Sequence, residues 1–151
     1  MLERKSERFV GYDAKKRPIN AKTGNFANTT DASTWSTIDI ANESILKYEN
    51  VVGIGIVLGE IDETYTLCGL DIDDCMDENG NIAEEAQEII DLLDTYTEKS
   101  PSGKGIHCLF YATKKGLKCK NNKLSWCKCI EIYDGDRYFT LTGKELNSEG
   151  Y

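Results

Sequence analysis

Five short runs rich in β-branched and aromatic residues divide this chain: Val51–Leu58, Tyr65–Asp73, Ile106–Ala112, Cys129–Tyr133 and Tyr138–Thr142. Runs of this length, bounded by Gly, Asp and Pro, are strands, so the chain must build a sheet. The acidic loop Gly59–Thr64 predicts that the first two form a hairpin, and the turn Asp134-Gly135-Asp136 predicts the same for the last two. Two other stretches repeat their apolar residues at helical spacing. In the first, Ser36 followed by Asp39 approximates a capping box, Ile38, Ala41, Ile45 and Tyr48 share a face, and Trp35 staples the start to the core. In the second, Asn81 with Glu84 caps a helix carrying Ile82, Ala86, Ile89, Ile90, Leu93 and Tyr96, which Pro101 and Gly103 stop. Residues 1–30, with Lys15-Lys16-Arg17-Pro18 and Lys22-Thr23-Gly24-Asn25, read as an irregular leading segment or a loose hairpin. The order helix, two strands, helix, three strands predicts an α+β fold, with helices packed on a mainly antiparallel sheet. A length of 151 residues predicts a single domain spanning 1–151.

The charges matter by their placement. The formal net charge is -8, yet Tyr48 to Glu98 holds 15 acidic residues and no Lys or Arg, while Lys99 to Ile130 holds eight lysines and no acid. Either block alone reads as a solvated face, but an acidic block can also hold divalent cations and a basic one can meet phosphates. The charged start Met1-Leu2-Glu3-Arg4-Lys5 and the lack of a long apolar run argue against an export signal or a membrane span, so a soluble, intracellular protein is expected. Cys68, Cys75, Cys108, Cys119, Cys127 and Cys129 are then reduced thiols. Cys119, Cys127 and Cys129, with Cys108, raise a zinc site, against which Cys127-Lys128-Cys129 lacks the two-residue gap of zinc knuckles.

Three motifs carry chemistry. In Gly69-Leu70-Asp71-Ile72-Asp73-Asp74 a strand ends in carboxylates, and alternation points Asp71 and Asp73 to one side, with Cα atoms about 6.6 Å apart. Such a pair can bridge two metal ions spaced ~3.5–4 Å, although a bare D-x-D is also an ordinary polar strand end. A calcium loop at Asp77-Glu78-Asn79-Gly80 fails on register, because Cys75 and Ala86 would occupy its first and last ligand positions. Ser100-Pro101-Ser102-Gly103-Lys104-Gly105-Ile106-His107 is a glycine-rich turn holding the chain's single histidine. It suits phosphate or a plain surface turn, and it is not a Walker A loop, since Gly105 stands where a Ser/Thr would bind magnesium. Glu131 interrupts the apolar strand Ile130-Glu131-Ile132-Tyr133, and it faces either a site or water. Arg137 follows across the turn in Arg137-Tyr138-Phe139-Thr140-Leu141-Thr142-Gly143.

In this order, h-D-h-D, S-P-S-G-K-G-x-H and h-E-h-Y followed by R-Y-F-T-x-T-G, the motifs resemble the archaeo-eukaryotic primase superfamily. More specifically they resemble the prim-pol domains that open primase-helicase proteins of phages and plasmids, and the resemblance runs from about Lys16-Arg17-Pro18 through Gly143. The resemblance implies a sheet of RNA-recognition-motif type and a cytoplasmic primase-polymerase of DNA replication, encoded by a bacterium, phage or plasmid. It implies Asp71, Asp73 and Glu131 as ligands of two Mg²⁺ or Mn²⁺ ions. His107, with Ser102, Gly103 and Lys104, becomes a grip on the triphosphate, and Arg137 a further phosphate contact. Nucleoside triphosphates and a single-stranded DNA template with its primer are the implied partners, with a helicase domain or protein beside them. Lys114–Lys128 then suits phosphate contacts to template or primer, with Trp126 for base stacking, or a solvated lysine-rich hairpin.

Asp71, Asp73, His107 and Glu131 are thus the expected catalytic set for nucleotidyl transfer. A two-metal nuclease uses similar residues but has no triphosphate for the Ser102–Gly105 turn to hold, and a degenerate nucleotide- or DNA-binding module is the non-enzymatic rival. Relatives of this type carry a helical domain after the core, whereas this sequence stops at Tyr151, eight residues past Gly143. The expectation is an excised domain or a small stand-alone relative that extends primers weakly and starts few of its own.

Overall fold

The computed structural model describes residues 5–113 and 116–146. In chain order its elements are β1 (Phe9–Tyr12), β2 (Pro18–Ile19), a 3-10 turn at Ala32–Thr34, α1 (Ile38–Lys47), β3 (Gly53–Val57), β4 (Gly59–Glu60), β5 (Thr66–Asp73), α2 (Glu84–Leu93), β6 (Tyr96–Lys99), β7 (Ile106–Ala112), β8 (Cys119–Asn121), β9 (Cys129–Tyr133) and β10 (Tyr138–Leu141). Two units result. One holds the residues up to Leu58 together with Asp136–Leu141, the other Gly59–Gly135 together with the residues from Thr142 on. Each is built on an antiparallel sheet with one helix, so the fold is α+β as expected.

The first unit orders its strands β10-β3-β1-β2, with α1 against β1 and β3. The leading segment is therefore structured: Phe9 and Val10 are buried in β1, and a tight connection returns the chain to β2. Asp13 closes that connection, its Oδ1 accepting from the backbone N–H groups of Arg17 and Lys15 at 2.8 and 3.0 Å. The hydrogen bond from Arg17 N–H, helped by the Arg17 guanidinium, holds the Asp13 carboxyl below its ordinary range. A four-residue strand between charged stretches is too short for periodicity to reveal. Helix α1 is capped by Thr37, whose Oγ1 accepts from Ile40 N, because the expected cap, Ser36, is buried and donates to the Phe9 carbonyl. Trp35 does anchor the helix start: it packs with Val10 and Val57, donates to the Asn28 carbonyl at 2.7 Å and lies under the Arg8 guanidinium.

In the second unit the order is β6-β7-β5-β9-β8, with β4 against the start of β5. Neither expected hairpin forms. β3 and β5 belong to different sheets, as do β9 and β10, because β3 fills its ladders with β1 and β10 while β5 takes β7 on one side and β9 on the other. The local turn residues fit hairpins, but the strands they join take non-local partners instead. Helix α2 starts later than expected, at Glu84, since Asn81 gives its backbone N–H and its side-chain amide to the Asp77 carboxylate instead of capping. It ends at Leu93 because Asp94 turns left-handed (φ 42°), which releases Tyr96 into the unforeseen strand β6. β5, α2 and β6, with β7 between the two strands, make a split β-α-β unit. Ala86 and Ile90 of α2 bury Leu70, Ile72, Ile106 and Cys108 on one face of the sheet, so alternation sends Asp71 and His107 to the other.

No helix among the described residues is long and apolar enough to cross a membrane. Five of the six thiols are buried, and only Cys119 is exposed. Burial pushes the Cys68 thiol up to about 11 and that of Cys75 to about 12, far from the thiolate form that reacts. A disulfide reagent at pH 8 should therefore titrate one thiol quickly on the native protein and all six after denaturation; several fast native thiols would contradict this packing.

Candidate active site

Antiparallel register brings the sequence motifs into one line. Asp71 on β5 stands opposite Glu131 on β9 and His107 on β7. Glu131 in turn faces Lys120 on β8, and His107 faces Glu98 on β6. Lys120, Glu131, Asp71, His107 and Glu98 thus form a cross-strand row on the face away from α2, with neighbours about 5 Å apart. Asp73 is two residues on from Asp71 and shares its face. The Asp71 side chain is 25% exposed and that of His107 11%, so a small ligand can reach them without the row being fully wet.

Hydrogen bonds and ion pairs orient the row. His107 Nε2 lies 3.5 Å from Asp71 Oδ1, while Nδ1 lies 3.8 Å from Glu98 Oε1. Glu131 Oε1 meets Lys120 Nζ at 2.8 Å and accepts from the Cys129 thiol. Burial, and then that contact with Glu131, pushes the Cys129 thiol up. Glu98 is fully buried, and its carboxylate accepts from Thr142 N, Gly143 N and the Tyr96 hydroxyl at 2.7–3.0 Å. Burial alone would raise its pKa, but His107 and these donors outweigh it and hold the carboxyl below its ordinary 4.5. A carboxyl depressed on folding stabilises the native state above its unfolded pKa, and that contribution is lost as pH falls through the folded one. Wild type should thus lose urea resistance below about pH 4.5 more steeply than Glu98→Gln; parallel curves would contradict it.

The turn from Ser100 to Gly105 closes the β6–β7 hairpin beside the end of β5. Gly103 adopts a left-handed φ of 74° at the exposed tip. Gly105 is glycine for another reason: a Cβ there would stand 2.8 Å from the Ile72 carbonyl oxygen and 3.5 Å from Asp73 Cα. Ser102 Oγ contacts Ser100 Oγ at 3.0 Å and accepts from Lys104 N, which shapes the tip.

The structure therefore unites Asp71, Asp73, His107 and Glu131 on one face of one sheet and sets Ser102, Gly103 and Lys104 on a hairpin tip at its Asp73 end. Arg137 lies in the first unit, where its carbonyl accepts from Leu58 N. Lys114 and Lys115 lie outside the described residues; Trp126 is half-buried against the core under α2 and lines a cleft of about 340 Å³ with Asp74, Met76 and Asn81. Of the cysteines raised for zinc, Cys108 and Cys127 sit in that core, Cys119 pairs with Ile132, and Cys129 pairs with Asp73. Among the described residues no three His, Cys, Asp or Glu side chains already converge to hold a metal ion. The donor chemistry of Asp71, Asp73 and Glu131 nevertheless suits a hard cation, since all three offer carboxylate oxygens. Sequence reasoning missed Glu98, and it placed Lys120 only within the Lys114–Lys128 stretch rather than beside Glu131. Glu98 was findable, because a hairpin turning on Ser102-Gly103 pairs it with His107.

The family model described as bifunctional DNA primase/polymerase, N-terminal (Prim-Pol) matches residues 3–151. A DNA primase-polymerase of Nitratiruptor phage NrS-1 is 32% identical over 130 residues, which cover 85% of this chain and 18% of that protein. The chain spans less than a fifth of that relative's length.

Proposed function

The chain belongs to the prim-pol family, and from that membership we propose that it transfers nucleotidyl groups in DNA synthesis: a 3′-hydroxyl attacks the α-phosphate of a nucleoside triphosphate, and pyrophosphate leaves. The observation that supports this reading most is the alignment of Glu131, Asp71 and His107 in one cross-strand row, with Asp73 beside it. Asp71, Asp73 and Glu131 would hold Mg²⁺ or Mn²⁺, two ions in all. When bound, the ions lower the pKa of the attacking hydroxyl and neutralise charge on the triphosphate. Glu131 is paired with Lys120 at 2.8 Å, and joining Asp71 at a cation would free that ammonium to meet phosphate. His107 presents Nε2 to the triphosphate, and Ser102, Gly103 and Lys104 extend that grip from the hairpin tip. Arg137 is assigned a phosphate contact by the order of motifs alone. Lys118, Lys123 and Lys128 meet the backbone of a single-stranded template or its primer, where Trp126 is available for stacking.

Incubation with labelled deoxynucleotides, primer-template DNA and Mn²⁺ tests the proposal. Primer extension is the expected result. Primer shortening would make the protein a nuclease, and neither outcome alongside retained nucleotide affinity would make it a binding module.

A further inference from the structure

His107 is held from behind by a residue that none of the motifs includes. Glu98 stands opposite it on β6, with a side chain only 1% exposed and Oε1 3.8 Å from Nδ1. Burying a carboxylate is costly unless partners compensate, and this one is fully supplied: Thr142 N and Gly143 N donate to it, as does the Tyr96 hydroxyl. Its depth keeps it from touching a nucleotide, so any influence on the reaction must pass through a neighbour. An imidazole on a strand rotates about a broad, two-fold χ2, so its direction must be set by what its nitrogens meet. Here the two nitrogens meet carboxylates on opposite sides, Asp71 at Nε2 and Glu98 at Nδ1. Once Asp71 turns to a cation, Glu98 is the carboxylate left to orient the ring.

We propose that Glu98 is the positioning residue of His107: by engaging Nδ1 it fixes the imidazole so that Nε2 points along the row towards Asp71 and the triphosphate. This rests on the reading of His107 as a phosphate contact. The rival role is a staple that only fastens Thr142 and Gly143 to β6, and it predicts loss of stability without selective loss of nucleotide binding.

The test is a double-mutant cycle on the full chain with Mn²⁺ present. The affinity for a non-hydrolysable deoxynucleoside triphosphate is read by calorimetry, that for primer-template DNA by fluorescence anisotropy, and folding by circular dichroism. Glu98→Gln should weaken nucleotide binding about tenfold, the usual cost of losing the group that orients a functional histidine. DNA binding should stay within about twofold of wild type, and in a His107→Ala background Glu98→Gln should bring no further loss, since contacting residues do not add. If Glu98→Gln does not fold, Tyr96→Phe, which removes one donor to the same carboxylate, is expected to give a smaller loss of nucleotide affinity that also vanishes without His107. Additive losses, or no loss in the single variant, overturn the positioning role while leaving the site reading intact. If His107→Ala itself leaves nucleotide affinity unchanged, the phosphate grip falls and this inference falls with it.

Discussion

The Asp71→Ala/Asp73→Ala double variant is expected to lose Mn²⁺-dependent primer extension by about a thousandfold or more while melting no earlier than wild type. Metal-assisted stabilisation of the transferring phosphate is worth several kcal/mol, and each ~1.4 kcal/mol is a factor of ten in rate. The fold should tolerate the change, because Asp71 and Asp73 share a face with Glu131 and like charges so placed repel when no cation is present. His107 keeps Glu98 as its partner in the variant. The same pair of proteins gives a readout independent of activity. Mn²⁺ at about 100 times its Kd stabilises a native state by roughly 2.7 kcal/mol, which for a chain of this size raises Tm by roughly 5–10 °C. Wild type should show that rise and the double variant should not. Extension by the variant, or an unchanged wild-type Tm, would remove the metal assignment from these residues.

Gly105→Val is expected to be the most damaging single change at the hairpin tip, costing about 2–4 kcal/mol and roughly 5–15 °C in Tm. The new Cβ would lie 2.8 Å from the Ile72 carbonyl oxygen and 3.0 Å from Ser100 Oγ. A backbone oxygen in a strand paired on both sides cannot step back without disturbing β7 and β9, and Asp73 would move with it. Gly103→Ala is the control. Nothing lies within 4 Å of its Cβ position, so only the left-handed φ of 74° is penalised, at about 1–2 kcal/mol. A Gly103→Ala loss as large as that of Gly105→Val would show that crowding against β5 is not what Gly105 relieves.

Much of the site was legible because it is written in alternation. Asp71 and Asp73 lie two apart on a strand, and Glu131 and His107 each sit within an apolar run, so once those runs pair antiparallel the row assembles itself. The S-P-S-G-K-G turn was read correctly as a turn, but nothing in the sequence signals that Gly105 packs against the Ile72 carbonyl. Partner choice was the illegible part. The Gly59–Thr64 loop and the Asp134-Gly135-Asp136 turn each have hairpin composition, yet beyond the short β4–β5 pairing the strands they join take partners far away in sequence, and no local signal records which. β6 was hidden for a different reason. Tyr96 continues the helical spacing of Ile89 and Leu93, and only the left-handed Asp94 cuts the helix short, at a residue type that tolerates such a backbone without requiring it.

The placement of β10 also sets a schedule for synthesis. β3 lies between β1 and β10, so until β10 leaves the ribosome one edge of β3 presents unpaired backbone groups. Its other neighbour β1, the strand β2 beyond that, and the helix that packs on it are all made before Leu58, but the missing strand begins only at Tyr138. At about 5–20 residues per second, the intervening stretch takes roughly 4–16 s to translate. During that interval the second sheet can close most of its ladders while the first waits with an open edge, the kind of surface that recruits other chains. The nascent protein therefore has its window of greatest aggregation risk in its first half, and fusing a copy of the β10 sequence directly after Leu58 through a short Asn-Gly turn would close that window early.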